Sequence, residues 1–178
     1  MDMQPVFDTA DANFALGDSI QSQLKIVPAQ LMDCDDVVAL FGALHHYNAS
    51  LDPHFALADG WENLLREQFY ATCYDPTMQW MLVKDGDDAV GLLIAGVHTD
   101  SPLFRFRRWI EVQALYVANS HRRRGIARRL LNEAYAWAEA LELPRVQLYV
   151  TASNVRAQTV YENEGFALTQ AIMRKKLH

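Results

Sequence analysis

The stretch "HRRRGIARRL", residues 121–130, packs five arginines around a single glycine at the start of a predicted helix. A loop that leaves a strand and opens a helix collects unpaired backbone N–H groups at the positive end of the helix dipole, where they form an anion site. Gly125 lets the backbone approach a phosphate, Ala127 keeps the first turn uncrowded, and arginines offer planar donors for phosphate oxygens. The stretch therefore predicts a phosphate-binding turn, although a solvated basic helix face that contains a glycine would have the same charge pattern.

Positive charge is concentrated in one part of the chain. Half of the 16 Lys and Arg residues lie in one window, as Arg105, Arg107, Arg108, Arg122, Arg123, Arg124, Arg128 and Arg129. Glu111 is the only acid between them, so the window carries +7 and the rest of the chain −13, within a net charge of −6. A single basic site on an acidic body favours a compact polyanionic ligand over a long nucleic acid.

The composition is that of an ordinary globular domain and excludes several classes of protein. The 178 residues are 51% hydrophobic and 21% charged, which suits one domain with a proper core and argues against disorder. No apolar run reaches the roughly 18 residues of a transmembrane helix, and residues 1–23 lack the Lys and Arg of a signal peptide. Cys34 and Cys73 have no metal-site spacing, which favours buried thiols in a reducing cytoplasm.

Hydrophobic periodicity predicts one α/β domain over residues 24–178, in the order β-α-α-β-β-β-α-β-α-β, after a loosely ordered arm at residues 1–23. The predicted strands are 24–29, 78–85, 89–100, 108–118, 145–152 and 166–177. The predicted helices are 32–48, 61–74, 126–141 and 153–165, of which the third has an apolar stripe of Ile126, Leu130, Ala134, Trp137 and Leu141. The chain contains no repeat and no internal linker, so a single domain is expected.

Two spaced motifs are similar to those of a known superfamily. The first is Arg122-x-x-Gly125-x-Ala127, between an apolar strand and an amphipathic helix. The second is "NVRAQTVYENEGF", in which Asn154 ends a strand and the following helix carries Ala157, Tyr161, Gly165 and Phe166. Together, over residues 80–170, the motifs and the element order resemble the GNAT superfamily of N-acyltransferases.

The resemblance implies a mixed, mainly antiparallel twisted sheet flanked by helices, with acetyl-CoA as the acyl donor. It implies that the backbone from Arg122 to Ala127 holds the CoA pyrophosphate, and that the pantetheine arm lies along residues 115–117, on a strand splayed from its neighbour by a bulge. Asn154 would contact the pantetheine, while its alternative role is that of a helix N-cap, for which Ser153 is the other candidate, and the two roles of Asn154 are compatible. The implied cofactor-binding residues are Leu115, Tyr116, Val117, Arg122, Arg123, Arg124, Gly125, Ile126, Ala127, Arg128 and Asn154.

Glu111 and Tyr161 are the candidates for acid–base chemistry. Transfer of an acyl group to an amine needs a base, because an alkylamine such as Lys has a reference pKa of about 10.4, and it needs a proton donor for the departing thiolate. Glu111 stands in an otherwise apolar strand and precedes Arg122 by eleven residues, the separation at which GNAT members place a strand glutamate base. Alternation puts Glu111 on the face of Gln113 and Leu115, although a bulge would disturb that register. Tyr161 matches the tyrosine that protonates the thiolate in the family.

Each of these candidates also has a purely structural interpretation. Glu111 could be an edge-of-sheet acid paired with Arg107 or Arg108. Tyr161 could be a half-buried aromatic residue on an amphipathic helix.

The segment "HHYNASLDPHF", residues 45–55, is a candidate for binding the acceptor rather than a metal. Adjacent histidines on a helix point in different directions and no further ligand has suitable spacing, so we expect no metal site. In the GNAT fold the loop between the first two helices borders the acceptor site, which makes Tyr47, Asp52 and His54 candidate acceptor contacts. The acidic remainder of the chain would favour the approach of a cationic amine.

The sequence thus predicts a cytoplasmic enzyme that moves an acetyl group from acetyl-CoA to a primary amine. We expect direct attack, because neither cysteine lies in a motif. The acceptor is expected to be a small-molecule amine or an amine of a protein, with no nucleic acid, membrane or metal partner, and the N-terminal arm could support a homodimer. A catalytically inactive acyl-CoA-binding regulatory module would share both motifs but would not need Glu111 and Tyr161. A nucleic-acid binder is disfavoured by the net negative charge.

Overall fold

The computed structural model describes residues 24–177. Its strands are β1 (Lys25–Pro28), β2 (Met78–Asp85), β3 (Asp88–Thr99), β4 (Arg108–Val117) and β5 (Val146–Leu148). Its helices are α1 (Cys34–Leu51), α2 (Trp61–Thr72), α3 (Ile126–Ala140) and α4 (Val155–Asn163). Within these described residues, no helix combines the length and the apolar character that crossing a membrane requires. The predicted arm at residues 1–23 lies outside the described residues.

The strands form one mixed sheet in the order β1-β2-β3-β4-β5. Strands β1 to β4 are antiparallel neighbours, and β5 joins β4 in parallel. A parallel pair needs a crossover connection, which α3 supplies between β4 and β5. The prediction of a mixed, mainly antiparallel sheet is confirmed, and α3 follows β4 after the turn at residues 118–125.

Core residues cover both faces of the sheet. On one face α3 buries Ile126, Leu130 and Ala134, the first three residues of its predicted stripe. On the other face α1 and α2 pack against the strands, and the ring of Phe69 on α2 meets that of Trp80 edge-on at 5.1 Å. Hydrophobic burial on both faces holds β3 and β4 at the centre of the domain, where the candidate site lies.

Strand β4 contains one residue more than its ladder with β3 requires. Ile94 pairs with Ala114 and Ala95 pairs with Val112, so Gln113 has no partner of its own. This is a β-bulge, which bends a strand and shifts its alternation by one residue. The bulge implied by the resemblance is therefore present.

The predicted strand at 166–177 is not formed. These residues pair with no strand of the described chain, and their large apolar side chains are exposed, as at Leu168, Ile172, Met173 and Leu177. Strand β5 is also shorter than the predicted 145–152, and alternation within residues 166–177 does not by itself supply the partner that the backbone of a strand needs. Arg174 instead forms an ion pair with Asp52, N to O 2.8 Å, which holds the C-terminal segment beside the end of α1.

Candidate active site

The turn between β4 and α3 has the backbone of an anion site. Arg123 (φ 64°) and Gly125 (φ 71°) both adopt the left-handed conformation, which costs free energy for a residue other than glycine. Gly125 is the N-cap of α3, and no side chain caps the helix. A Cβ built on Gly125 would meet no atom within 4 Å. The first turn of α3 therefore presents its N–H groups to an open space, as the sequence predicts.

Arg122, the first residue of the motif, points into the protein. Its Nε donates a hydrogen bond to the carbonyl of Val117 at 2.8 Å. Its guanidinium lies over two rings, 5.6 Å from the centroid of Tyr116 and 5.8 Å from that of Tyr47. Arg122 thus ties the turn to the end of β4 and to α1, a supporting role that the charge pattern does not reveal.

The other arginines of the stretch stay at the surface. Arg128 lies 3.5 Å from Glu164, and Arg129 donates to the carbonyl of Leu24 at 3.3 Å. Arg123 and Arg124 are exposed, and no ion pair within residues 24–177 engages them. These two guanidiniums are the positive charge that remains available beside the turn.

His121 connects the turn to the hairpin formed by β2 and β3. Its Nε2 lies 3.0 Å from the Oδ2 of Asp85, and its Nδ1 lies 2.8 Å from the hydroxyl of Ser120. Asp85 belongs to the β2–β3 hairpin, so the contact joins the turn to a distant part of the sheet. Sequence analysis does not single out this pair, because only the folded hairpin brings the two residues together.

Strands β4 and β5 diverge next to the turn. Their pairing is limited to Ile110–Val112 with Val146–Leu148. Leu115, Tyr116 and Val117 pair with β3 on one side and with no described strand on the other. Backbone groups on that open side are available to an extended ligand that lies against β4 like an added strand.

Glu111 lies on the face of β4 that points away from α3. Its ladder partner is Gly96, and a Cβ on Gly96 would come within 3.0 Å of the Nε2 of Gln113, so Glu111 and Gln113 are on the same side. Leu115 lies on the opposite face of the sheet, where it packs with the buried residues of α3. The prediction that Leu115 shares the face of Glu111 is wrong, because the bulge at Gln113 shifts the alternation.

A histidine side chain of the neighbouring strand lies beside the Glu111 carboxylate. The Oε2 of Glu111 lies 3.6 Å from the Nδ1 of His98, and the Glu111 side chain is 18% exposed. Among the described residues no ion pair joins Glu111 to Arg107 or Arg108. The alternative of an arginine-paired acid at the sheet edge is thus not what the structure shows.

Helix α4 supplies Asn154 and Tyr161. The Oδ1 of Asn154 accepts a hydrogen bond from the backbone N–H of Ala157 at 3.2 Å, which confirms its N-cap role. The ring of Tyr161 packs edge-on against Phe166 at 5.8 Å. Burial, with a smaller contribution from Tyr135, raises the pKa of Tyr161 to about 12, so its phenol keeps its proton at neutral pH.

Comparison with known proteins agrees with this geometry. Residues 43–166 match the family model described as the acetyltransferase (GNAT) family. The chain belongs to this family. A mycothiol acetyltransferase of Beutenbergia cavernae is 33% identical over 102 residues, which make up 57% of this chain and 32% of that protein. This GNAT chain therefore spans about a third of the length of that relative.

Solved structures share the fold of this GNAT protein. A tetramutant of the BH1408 protein from Bacillus halodurans has a TM-score of 0.76 at 18% identity, and the match covers 86% of this chain and 99% of that chain. An aminoglycoside N-acetyltransferase, AAC(6')-Iy, in complex with CoA has a TM-score of 0.69 at 14% identity, over 89% of this chain and 97% of that chain. At these identities the likeness concerns the fold.

The residues predicted to contact the acceptor are only partly together in this GNAT chain. Tyr47 lies beside Arg122. Asp52 accepts hydrogen bonds from the backbone N–H of His54 at 3.0 Å and from Arg174 at 2.8 Å, and its Oδ1 lies 2.9 Å from the Nδ1 of His54. These contacts, that of the His54 backbone first, lower the pKa of Asp52 to about 2. Both carboxylate oxygens of Asp52 are thus engaged within the protein.

An open cleft of about 710 Å³ adjoins the free side of β5. Its wall includes His98, Trp109, Arg145, Gln147 and Tyr149, together with part of the C-terminal segment. Sequence analysis does not identify these residues as a group, because their proximity depends on strand pairing. Within residues 24–177 no group of three or more His, Cys, Asp or Glu could hold a metal ion.

Proposed function

We propose that this GNAT protein transfers an acetyl group from acetyl-CoA to a primary amine by direct attack. The observation that carries the proposal is the open turn at Gly125 beside the unpaired edge of β4. An uncapped helix N-terminus suits a pyrophosphate, and an unpaired strand edge suits the amide groups of a pantetheine arm. The two features adjoin, as binding of one CoA molecule requires.

Binding would use the residues that the motif predicts. The backbone from Arg122 to Ala127 would hold the pyrophosphate, with the exposed side chains of Arg123 and Arg124 neutralising it. The open side of β4 at residues 115–117 would hold the pantetheine, with Asn154, the N-cap of α4, as a further proposed contact. The family's structural neighbour that holds CoA supports acyl-CoA as the ligand.

Catalysis would rest on Glu111 and Tyr161. In direct attack the Glu111 carboxylate takes a proton from the ammonium of the acceptor, the amine nitrogen forms a bond to the thioester carbon, and the carbon–sulfur bond breaks. Tyr161 then donates its proton to the departing thiolate, and the tyrosinate takes the second proton of the former ammonium nitrogen, which leaves the amide, the free thiol and a neutral Tyr161. Cys34 is buried at the start of α1, away from both motifs, which favours direct attack over an acyl-cysteine intermediate.

The acceptor is proposed to be a small-molecule amine or an amine of a protein. Relatives carry the names mycothiol acetyltransferase and aminoglycoside 6'-N-acetyltransferase, which supports a small-molecule acceptor. Tyr47 and His54 remain the proposed acceptor contacts on the α1 side. The free thiols of Cys34 and Cys73 suit a reducing compartment, so we place the reaction in the cytoplasm.

Calorimetric titration with acetyl-CoA tests the cofactor site. Gly125→Glu should abolish binding, because it puts a carboxylate where the phosphates belong and forces a side chain into the left-handed region. Gly60→Glu is the matched control, since Gly60 is also the N-cap of a helix, has φ 77° and has no atom within 4 Å of a built Cβ. Loss of binding in the first variant alone supports the proposal, whereas absence of binding in the wild type contradicts it.

A screen for release of free CoA thiol then tests catalysis. The panel comprises neamine, spermidine and a lysine-containing peptide, each with acetyl-CoA. Glu111→Gln and Tyr161→Phe should lower kcat about 10²-fold or more, as loss of an acid or base does, with acetyl-CoA affinity retained. Tight binding of acetyl-CoA without turnover of any amine would indicate the inactive acyl-CoA-binding module instead.

A further inference from the structure

His98 is the one histidine within the described residues that lies beside the candidate base. It is on β3, two residues beyond Gly96, and Gly96 is the ladder partner of Glu111. Residues two apart on a strand share a face, so His98 lies diagonally across from Glu111 on the same side of the sheet. The Nδ1 of His98 is 3.6 Å from the Oε2 of Glu111, a distance that a small side-chain rotation converts into a hydrogen bond.

The imidazole of His98 is held in a column of planar groups. It stacks on the indole of Trp109 with ring centroids 4.2 Å apart and an interplanar angle of 21°. The guanidinium of Arg145 lies 4.1 Å from the Trp109 ring and donates to the carbonyl of Phe106 at 3.2 Å. Trp109 is buried, so the column restricts the orientation of the histidine ring toward Glu111.

His98 also connects Glu111 to solvent. The His98 side chain is 38% exposed and forms part of the wall of the 710 Å³ cleft, whereas Glu111 is not among the described residues of that wall. The other ionisable side chains that line the cleft are Asp100 from the end of β3, Arg145 before β5 and Tyr149 after it. His98 is thus the residue of the described cleft wall that also contacts the Glu111 carboxylate.

We propose that His98 acts as a positioning residue that orients the Glu111 carboxylate. His98 also accepts the proton that Glu111 removes from the amine and passes it to solvent. The inference rests on the proposed function, in which each turnover releases one proton to solvent. The O–H bond of protonated Glu111 breaks as an N–H bond forms on neutral His98, and the imidazolium then loses a proton to water in the cleft. Glu111 is thereby restored as a carboxylate without releasing the proton toward the amine.

The competing interpretation gives His98 only a packing role against Trp109. His98→Phe separates the two, because phenylalanine keeps a planar ring on the indole and cannot carry a proton. His98→Gln is a second variant that keeps a polar group near Glu111 and also cannot relay a proton. Glu67→Gln is the control, since Glu67 is an exposed residue of α2 outside both motifs and outside the acceptor segment at residues 45–55.

The test measures kcat, KM and the pH profile with acetyl-CoA and the panel amine that the wild type acetylates fastest. His98→Phe and His98→Gln should both lower kcat by about 10- to 100-fold, with KM for acetyl-CoA unchanged and unfolding temperatures near that of the wild type. The wild-type kcat should fall on acidification, because a protonated His98 cannot accept the proton, and this fall should be absent from both variants. Added imidazole should restore part of the rate in His98→Ala, where the cleft admits it.

Three results would overturn the inference. If His98→Phe has the kcat and pH profile of the wild type, the ring serves packing alone. If the loss lies in KM for acetyl-CoA or in the unfolding temperature and imidazole rescues nothing, the role is structural. If the wild type binds acetyl-CoA without acetylating any amine, the proposed function fails and this inference fails with it, and this result differs from the first two because in those the wild type acetylates an amine.

Discussion

The Nε of Arg122 donates to the main-chain carbonyl of Val117 at 2.8 Å, and this bond joins the first residue of the phosphate-binding turn to the last residue of β4. The two proposed halves of the CoA site, the turn and the open strand edge, therefore share one rigid connection. A charged donor held on a backbone acceptor is among the stronger hydrogen bonds in proteins.

Loss of this bond should weaken acetyl-CoA binding. Arg122→Ala removes the donor and the contacts with Tyr47 and Tyr116, so we expect the dissociation constant to rise about tenfold or more, as for a hydrogen bond from a charged group. Calorimetry measures the change. Arg129→Ala is the control, because Arg129 bonds to the carbonyl of Leu24 away from the turn, and equal effects of the two substitutions would contradict the prediction.

The buried phenol of Tyr161 should make stability depend on pH in the alkaline range. Its folded pKa of about 12 lies above the ordinary value of 10, so the neutral phenol contributes stability that is complete below about pH 10. That contribution is lost as the pH rises toward 12. In denaturant titrations at increasing pH, the free energy of unfolding should fall more steeply for the wild type than for Tyr161→Phe. Tyr149→Phe, which removes an exposed phenol, should follow the wild type.

The contact between Asp52 and Arg174 should be sensitive to acid. The pKa of Asp52 is lowered from 3.8 to about 2, first by the backbone N–H of His54 and then by the side chains of His54 and Arg174. The contribution of Asp52 is therefore present above pH 4 and is lost as the pH falls toward 2. In Asp52→Asn the unfolding temperature should fall slightly less on acidification than it does in the wild type. Asp59→Asn, a change at an exposed acid, should leave this pH dependence as it is.

Added volume at Gly96 should impair the site more than the fold. A Cβ there would lie 2.8 Å from the Sδ of Met78 and 3.0 Å from the Nε2 of Gln113, both of which are ends of flexible side chains. In Gly96→Ala we expect a loss of about 1 kcal/mol or less in stability and a several-fold fall in kcat, because Gln113 must move beside Glu111. Gly42→Ala, which crowds the Trp61 ring at 2.9 Å, should show the reverse pattern of lower stability with normal kcat.

Features set by neighbouring residues along the chain can be predicted from the sequence. Gly125 and Asn154 are helix N-caps, and the stripe that begins at Ile126 packs on the sheet, because turns, caps and helical periodicity depend on local order. The same local logic explains why every strand up to β5 begins within a residue or two of its predicted start.

Features set by strand register could not be predicted in this way. The nearness of His98 to Glu111 depends on how β3 pairs with β4, and the face of Leu115 depends on one unpaired residue at Gln113. The alternation in 166–177 predicted a strand, but a strand also needs a partner, and these residues pair with no strand of the described chain. Patterns within a segment do not reveal whether a neighbouring strand lies beside it.

The bulge at Gln113 constrains the number of residues in β4, and the amino-acid composition of the strand does not show this constraint. Removal of that single codon would leave an uninterrupted ladder with β3, a change that sheet geometry alone would favour. It would leave Glu111 and Leu115 on the faces they occupy now, because Val112 and Ala114 already pair with the consecutive residues Ala95 and Ile94, and what would be lost is Gln113 and the local bend of β4. Substitutions at position 113 are therefore open to selection in a way that a deletion is not, and the length of β4 should vary less among descendants of this sequence than the identity of its residues.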